Sequence, residues 1–77
     1  MPTIWSERGF TFMIHTNDHE PAHVHAYKAG GVIVINVLDL SLRKVINLKK
    51  ADAKLAIEIV SANCELFLQK WREIHDN

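Results

Sequence analysis

The sequence predicts an α+β fold, a small antiparallel sheet of three to five strands packed by one long C-terminal helix. Three observations carry this. Apolar and polar residues alternate over Phe10 to His15 and again over His23 to Lys28, the period of two that marks half-buried strands. Glycine-bearing turns, Arg8-Gly9 and Gly30-Gly31, punctuate the runs. From about residue 49 to 75 apolar residues recur at alternating steps of four and three, the period of a helix. A chain of 77 residues fits a single domain, here 1–77, with strands over about 3–46 and the helix over about 49–75.

The elements follow in order. Thr3 to Glu7 pairs with the strand opening at Phe10, making a hairpin about Arg8-Gly9. In the strand from His23 to Lys28, Val24 and Ala26 share one face and His23, His25 and Tyr27 the other. Antiparallel pairing of these two strands puts Phe12, Ile14 and Val24 in the core and His15 on the histidine face. After Gly30-Gly31 the run Val32 to Val37 is apolar on both faces, so both want cover. Leu40 to Ile46 reads as a further short strand, interrupted by Arg43 and Lys44.

The helical stripe is Ala53, Ile57, Val60, Cys64, Phe67, Trp71 and Ile74, and a second apolar line through Leu55, Ile59, Ala62 and Leu66 widens it. Phe67 and Trp71 are expected to pack the helix on the sheet. An unbroken helix of this span is about 40 Å long at 1.5 Å per residue, more than the roughly 30 Å diameter of a globule of this size. It must overhang or bend. An overhang implies a homodimer through the C-terminal helix, the reading favoured here; a bend would fall at Ser61-Ala62-Asn63, where helix formers are weak.

Nine basic residues balance nine acidic ones, which argues against a bulk electrostatic binder of nucleic acid. The single cysteine, Cys64, excludes an internal disulfide, lies on the apolar stripe and is read as a core residue in a reduced, cytoplasmic protein. No apolar run reaches the roughly 18 residues of a membrane span, and the N-terminal residues lack the pattern of a signal peptide.

The chemistry concentrates between residues 15 and 25, where His15, Asp18, His19, Glu20, His23 and His25 gather four of the five histidines. Two imidazoles two apart in a strand project together, roughly 6 to 7 Å apart at their Cα atoms. They suit either a divalent metal or a phosphate. A zinc ion held by His23 and His25 with His19 or Asp18 is chemically reasonable, and an open fourth position would activate water. The spacing is neither the helical His-Glu-x-x-His of zinc proteases nor a histidine triad, because Tyr27 stands where the third alternating histidine would be.

The residues Thr3-Ile4 after Met1-Pro2, then Gly9-Phe10, Asn17-Asp18-His19, Pro21 and His23-Val24-His25, with Trp71 near the end, resemble the short bacterial proteins of domain-of-unknown-function family 4160. The resemblance spans nearly the whole chain. It implies an uncharacterised small protein, often encoded beside a second small partner in the manner of toxin-antitoxin pairs or mobile cassettes. Asp18, His19, His23 and His25 are the matching site positions. His15-Thr16 departs from the pattern, in which an aromatic followed by serine is more typical.

Two functional expectations result. The first is a dimeric protein-interaction module, toxin-antitoxin-like, with a neighbouring-gene product as its partner. The alternative is a small phosphodiesterase or ribonuclease, metal-dependent or histidine-catalysed, in which His23 and His25 act as ligands or as acid and base. A purely structural role for the histidines in fixing the hairpin is the third reading.

Overall fold

Two tight turns set the register of the sheet. Arg8 (φ 50°) and Gly9 (φ 84°) join β1 (Thr3–Glu7) to β2 (Phe10–Met13), and Ala29 (φ 47°) and Gly30 (φ 83°) join β3 (His23–Lys28) to β4 (Gly31–Asn36). Two successive left-handed residues make the type I′ geometry whose twist matches that of the flanking strands. The second turn therefore sits one residue earlier than Gly30-Gly31. Gly31 is instead the first residue of β4, where a Cβ would press on the Leu48 side chain, 2.8 Å away, and run into the Asn47 carbonyl oxygen.

The computed structural model describes residues 3–75, so Met1 and Pro2 of the opening motif lie outside the described residues. With β5 (Leu42–Ile46) the sheet has five strands in the order β1-β2-β3-β4-β5, every neighbouring pair antiparallel. Phe12 pairs with Ala26, Ala26 with Ile33 and Val24 with Ile35, so the apolar members of each alternation stack across the sheet on one face. With Phe10 and Ile14 these residues are buried and meet Ala56, Ile59, Val60, Phe67 and Trp71 of the helical region. The opposite face receives Thr11, Met13, His25, Tyr27, Val32 and Val34.

The helical region is two helices, α1 (Lys50–Ala62) and α2 (Cys64–His75), which corrects the expectation of one long helix. Asn63 makes the break. Its backbone leaves helical geometry (φ −119°, ψ 23°), and its side-chain Nδ2–H donates to the Ile59 carbonyl at 2.8 Å. Its own carbonyl accepts from the Phe67 N–H at 2.9 Å and so starts α2. Asparagine competes for backbone partners in this way, which is why it is a poor interior helix residue. Helices of 13 and 12 residues are each about 20 Å long, within the 37 Å longest extent of the molecule. The break falls within Ser61-Ala62-Asn63, the place expected for a bend. No helix among the described residues is long and apolar enough to cross a membrane.

The expected packing of α2 on the sheet is present, with the rings of Phe67 and Phe12 centred 5.4 Å apart. Cys64 is half-buried, its thiol 3.6 Å from the Val37 carbonyl oxygen.

Candidate metal centre

The loop between β2 and β3 folds back on the start of β3. The Asp18 N–H donates to the His15 carbonyl at 3.1 Å, and the Asp18 carboxylate accepts from the His15 N–H at 3.1 Å. A short aspartate side chain closing its own turn is a common use of this residue. Here it turns Oδ2 toward the strand. That oxygen lies 3.4 Å from His23 Nε2 and 3.2 Å from His25 Nε2. The three ligand atoms offered by Asp18, His23 and His25 all fall within 4.8 Å of one another.

His23 is the most constrained of the three. It is 4% exposed, although its strand position places it on the face away from the main core. Trp71 reaches it from α2, the two rings 5.2 Å apart, and the Trp71 indole N–H donates to Glu20 at 2.8 Å, tying α2 to the same loop. The Nδ1–H of His23 donates to the Pro21 carbonyl at 2.9 Å. This fixes the tautomer: Nδ1 carries the proton, and a neutral His23 aims the bare Nε2 lone pair at the Asp18 carboxylate. With that ring neutral, two acceptors would face each other 3.4 Å apart. Such a pair requires a cation between or upon it, either a second proton on His23 or a metal ion.

His25 contacts the same carboxylate oxygen, and since a carboxylate only accepts, its Nε2 bears the proton in that contact. Burial, reinforced by His15 beside it, pushes the His25 pKa below 6.5 against the opposing pull of Asp18. For Asp18, burial raises the pKa, but the His15 N–H and the facing His23 and His25 together outweigh it and leave the carboxyl below its usual 3.8. Both shifts are downward, so each group contributes stability above its unfolded pKa that is lost as pH falls. In metal-free protein held in chelator, stability is therefore expected to decline as pH drops through about 6.5 on account of His25, and again below about 4 on account of Asp18. Denaturant melts across pH, with His25→Asn as the comparison, check this. A wild-type profile no steeper than the variant's near pH 6 would contradict it.

The remaining sequence candidates fall around this cluster. His15 stands with its ring 4.2 Å from that of His25, edge to face, and its Nε2 is 3.4 Å from the Tyr27 hydroxyl. The expected gathering of His15, His23 and His25 on one side of the sheet is thus realised. His19 is exposed and is not among the three residues brought within ligand distance. Glu20 faces Trp71 rather than the imidazoles. The contribution of Trp71 to the site has no local sequence signal, since it lies 51 residues from its partner Glu20. His75 donates from Nδ1 to the Trp71 carbonyl at 2.8 Å in the last turn of α2.

Among known protein families, one described as "Domain of unknown function (DUF4160)" matches residues 9–72, a span that includes the whole loop and all three clustered side chains. No curated protein matches the chain, and no solved structure does.

Proposed function

The chain belongs to the DUF4160 family, and we propose that its work is done by a divalent transition metal held by Asp18, His23 and His25. The observation that carries this is the convergence of the buried His23 Nε2 and of His25 Nε2 on one Asp18 carboxylate oxygen, with His23 Nδ1 engaged by the Pro21 carbonyl. The donor set fits. Two imidazoles and a carboxylate match zinc, and the same trio is the facial set of mononuclear iron sites. In a tetrahedral site with bonds of about 2.0 to 2.2 Å, ligand atoms stand roughly 3.3 to 3.6 Å apart. The Asp18 oxygen is 3.4 and 3.2 Å from the two nitrogens, which meets that spacing on two edges, and the edge between the two imidazole nitrogens lies within 4.8 Å. The Pro21 carbonyl on His23 Nδ1 is the outer partner that orients a metal-bound imidazole.

Three protein ligands would leave a position open, and a zinc ion so held would lower the pKa of bound water to about 7. This supports the hydrolytic reading, a small phosphodiesterase or ribonuclease, over one in which the histidines merely brace the hairpin. The chain's own contribution is positional. Asp18, locked by the His15 N–H, cannot swing away, and His23 is held between Trp71 and the Pro21 carbonyl. His15 and the Tyr27 hydroxyl stand beside His25, where a proton could be taken up or delivered to a ligand oxygen.

Zinc titration by calorimetry on wild type and on His23→Ala with His25→Ala is the direct test. Stoichiometric binding with proton release, abolished by the double change and preserved in His19→Ala, is expected. Circular dichroism confirms that the variants are folded. Equal binding by the double variant, or none by wild type, would rule the site out. If zinc binds, hydrolysis of bis(4-nitrophenyl) phosphate and of single-stranded RNA separates a hydrolase from a metal-stapled interaction module.

A further inference from the structure

The exposed large apolar side chains of the described residues are concentrated at one edge. Leu38, Leu42, Val45 and Ile46 are 70%, 45%, 44% and 51% exposed, whereas the helices contribute none to this group. Scattered single exposures are ordinary, but four within nine residues form a patch. Every residue of β5 is exposed, and β5 is the outermost strand of the sheet, paired on one side only. Its other side presents unpaired backbone donors and acceptors, the template for strand addition.

The edge is also prepared. In the β4–β5 turn Ser41 donates from both N and Oγ to Asp39, and Asn36 donates to Ser41 Oγ at 2.8 Å. Arg43 Nε donates to the Asn36 side-chain oxygen at 2.8 Å. This network ties the turn to the first residues of β5, so the strand is ordered before anything docks.

Charge selects the occupant. Between Leu40 and Ala51 the chain carries Arg43, Lys44, Lys49 and Lys50 and no carboxylate, all four cations exposed, in a protein whose net charge is zero. A second copy added through β5 would set Arg43 and Lys44 against their own images. Pairing also slips beside Arg43, since Lys44 faces Val34 while Leu42 faces Ile35. Edge cations and a bulge are the devices that discourage self-pairing. We infer that β5 is a docking edge for an extended segment of another protein that alternates apolar residues with carboxylates. Its backbone continues the sheet, its apolar side chains cover Leu42 and Val45 on one face, and its carboxylates meet Arg43 and Lys44 on the other.

This rests on observations separate from the metal centre, and the test uses metal-free protein. The probe is an acetylated, amidated hexapeptide alternating glutamate and valine, with its lysine-valine counterpart as control. Amide shifts over residues 42–46 report the site, and sedimentation reports the oligomeric state. The acidic peptide alone is expected to move those amides on a monomer. Arg43→Glu with Lys44→Glu should weaken the acidic peptide at least about tenfold and admit the basic one, as opposite rim charges dictate. Self-association that protects β5, equal binding of both peptides, or no shift at 42–46 with either would each overturn the proposal.

Discussion

Replacing Phe67 by alanine is expected to remove about 3–5 kcal/mol of folding stability, the usual cost of deleting a buried phenylalanine. The protein has little to spare. A domain of this length is stabilised by roughly 4 to 12 kcal/mol in total. Phe67 is fully buried, and with Trp71 it is one of the two buried residues of α2. Its ring lies against Phe12, whose own ring is 5.9 Å from that of Phe10, so one aromatic column runs from α2 across β2. Removing the middle of α2's grip also loosens Trp71 from His23, so metal affinity should fall with stability. Urea unfolding followed by circular dichroism measures the first and calorimetry the second. Phe67→Leu, which keeps most of the volume, should cost less than half as much. A loss under about 1 kcal/mol for the alanine variant would mean that α2 is not held through this contact.

Zinc at a thousandfold excess over its dissociation constant is expected to raise stability by up to about 4 kcal/mol in wild type. In Asp18→Asn most of that rise should disappear. The substitution keeps the shape and the acceptor for the His15 N–H but removes the charge facing the two imidazoles. A hundredfold weakening corresponds to about 2.7 kcal/mol. The proposed ligands are close in sequence, at 18, 23 and 25, so the unfolded chain should also have some affinity for the ion. That affinity trims the gain below its ceiling. Thermal melts with and without zinc distinguish the cases. The same rise in Asp18→Asn as in wild type would place the ion elsewhere on the molecule.

Much of the sheet was legible because its signal is local. Phe10, Phe12, Ile14, Val24 and Ala26 announce one face by alternation, and a single assumption of antiparallel pairing brings His15, His23 and His25 to the other. The helix break was half legible. Asn63 is a weak helix former, but the sequence holds no measure of whether the sheet needs a bend there. The site was legible in composition and not in geometry. His19 adjoins Asp18 in the chain, yet the turn closed by Asp18 sends the two side chains apart, one to the cluster and one to solvent. The burial of His23 depends on Trp71, and no period or motif links residues so far apart.

The strand order has a kinetic corollary. Each strand pairs only with its neighbours in the sequence, so the sheet needs no long crossover and forms as successive hairpins. Loop-closure entropy stays small at every step, and such low contact order places folding toward the fast end of the mixed α/β range. The β3–β4 hairpin, with its tight turn and six-residue register, is the natural first piece, and it delivers His23 and His25 already aligned. What remains for the late stages is to swing the 15–22 loop and α2 over them, so Asp18 and Trp71 should acquire protection from hydrogen exchange after β3 and β4 do.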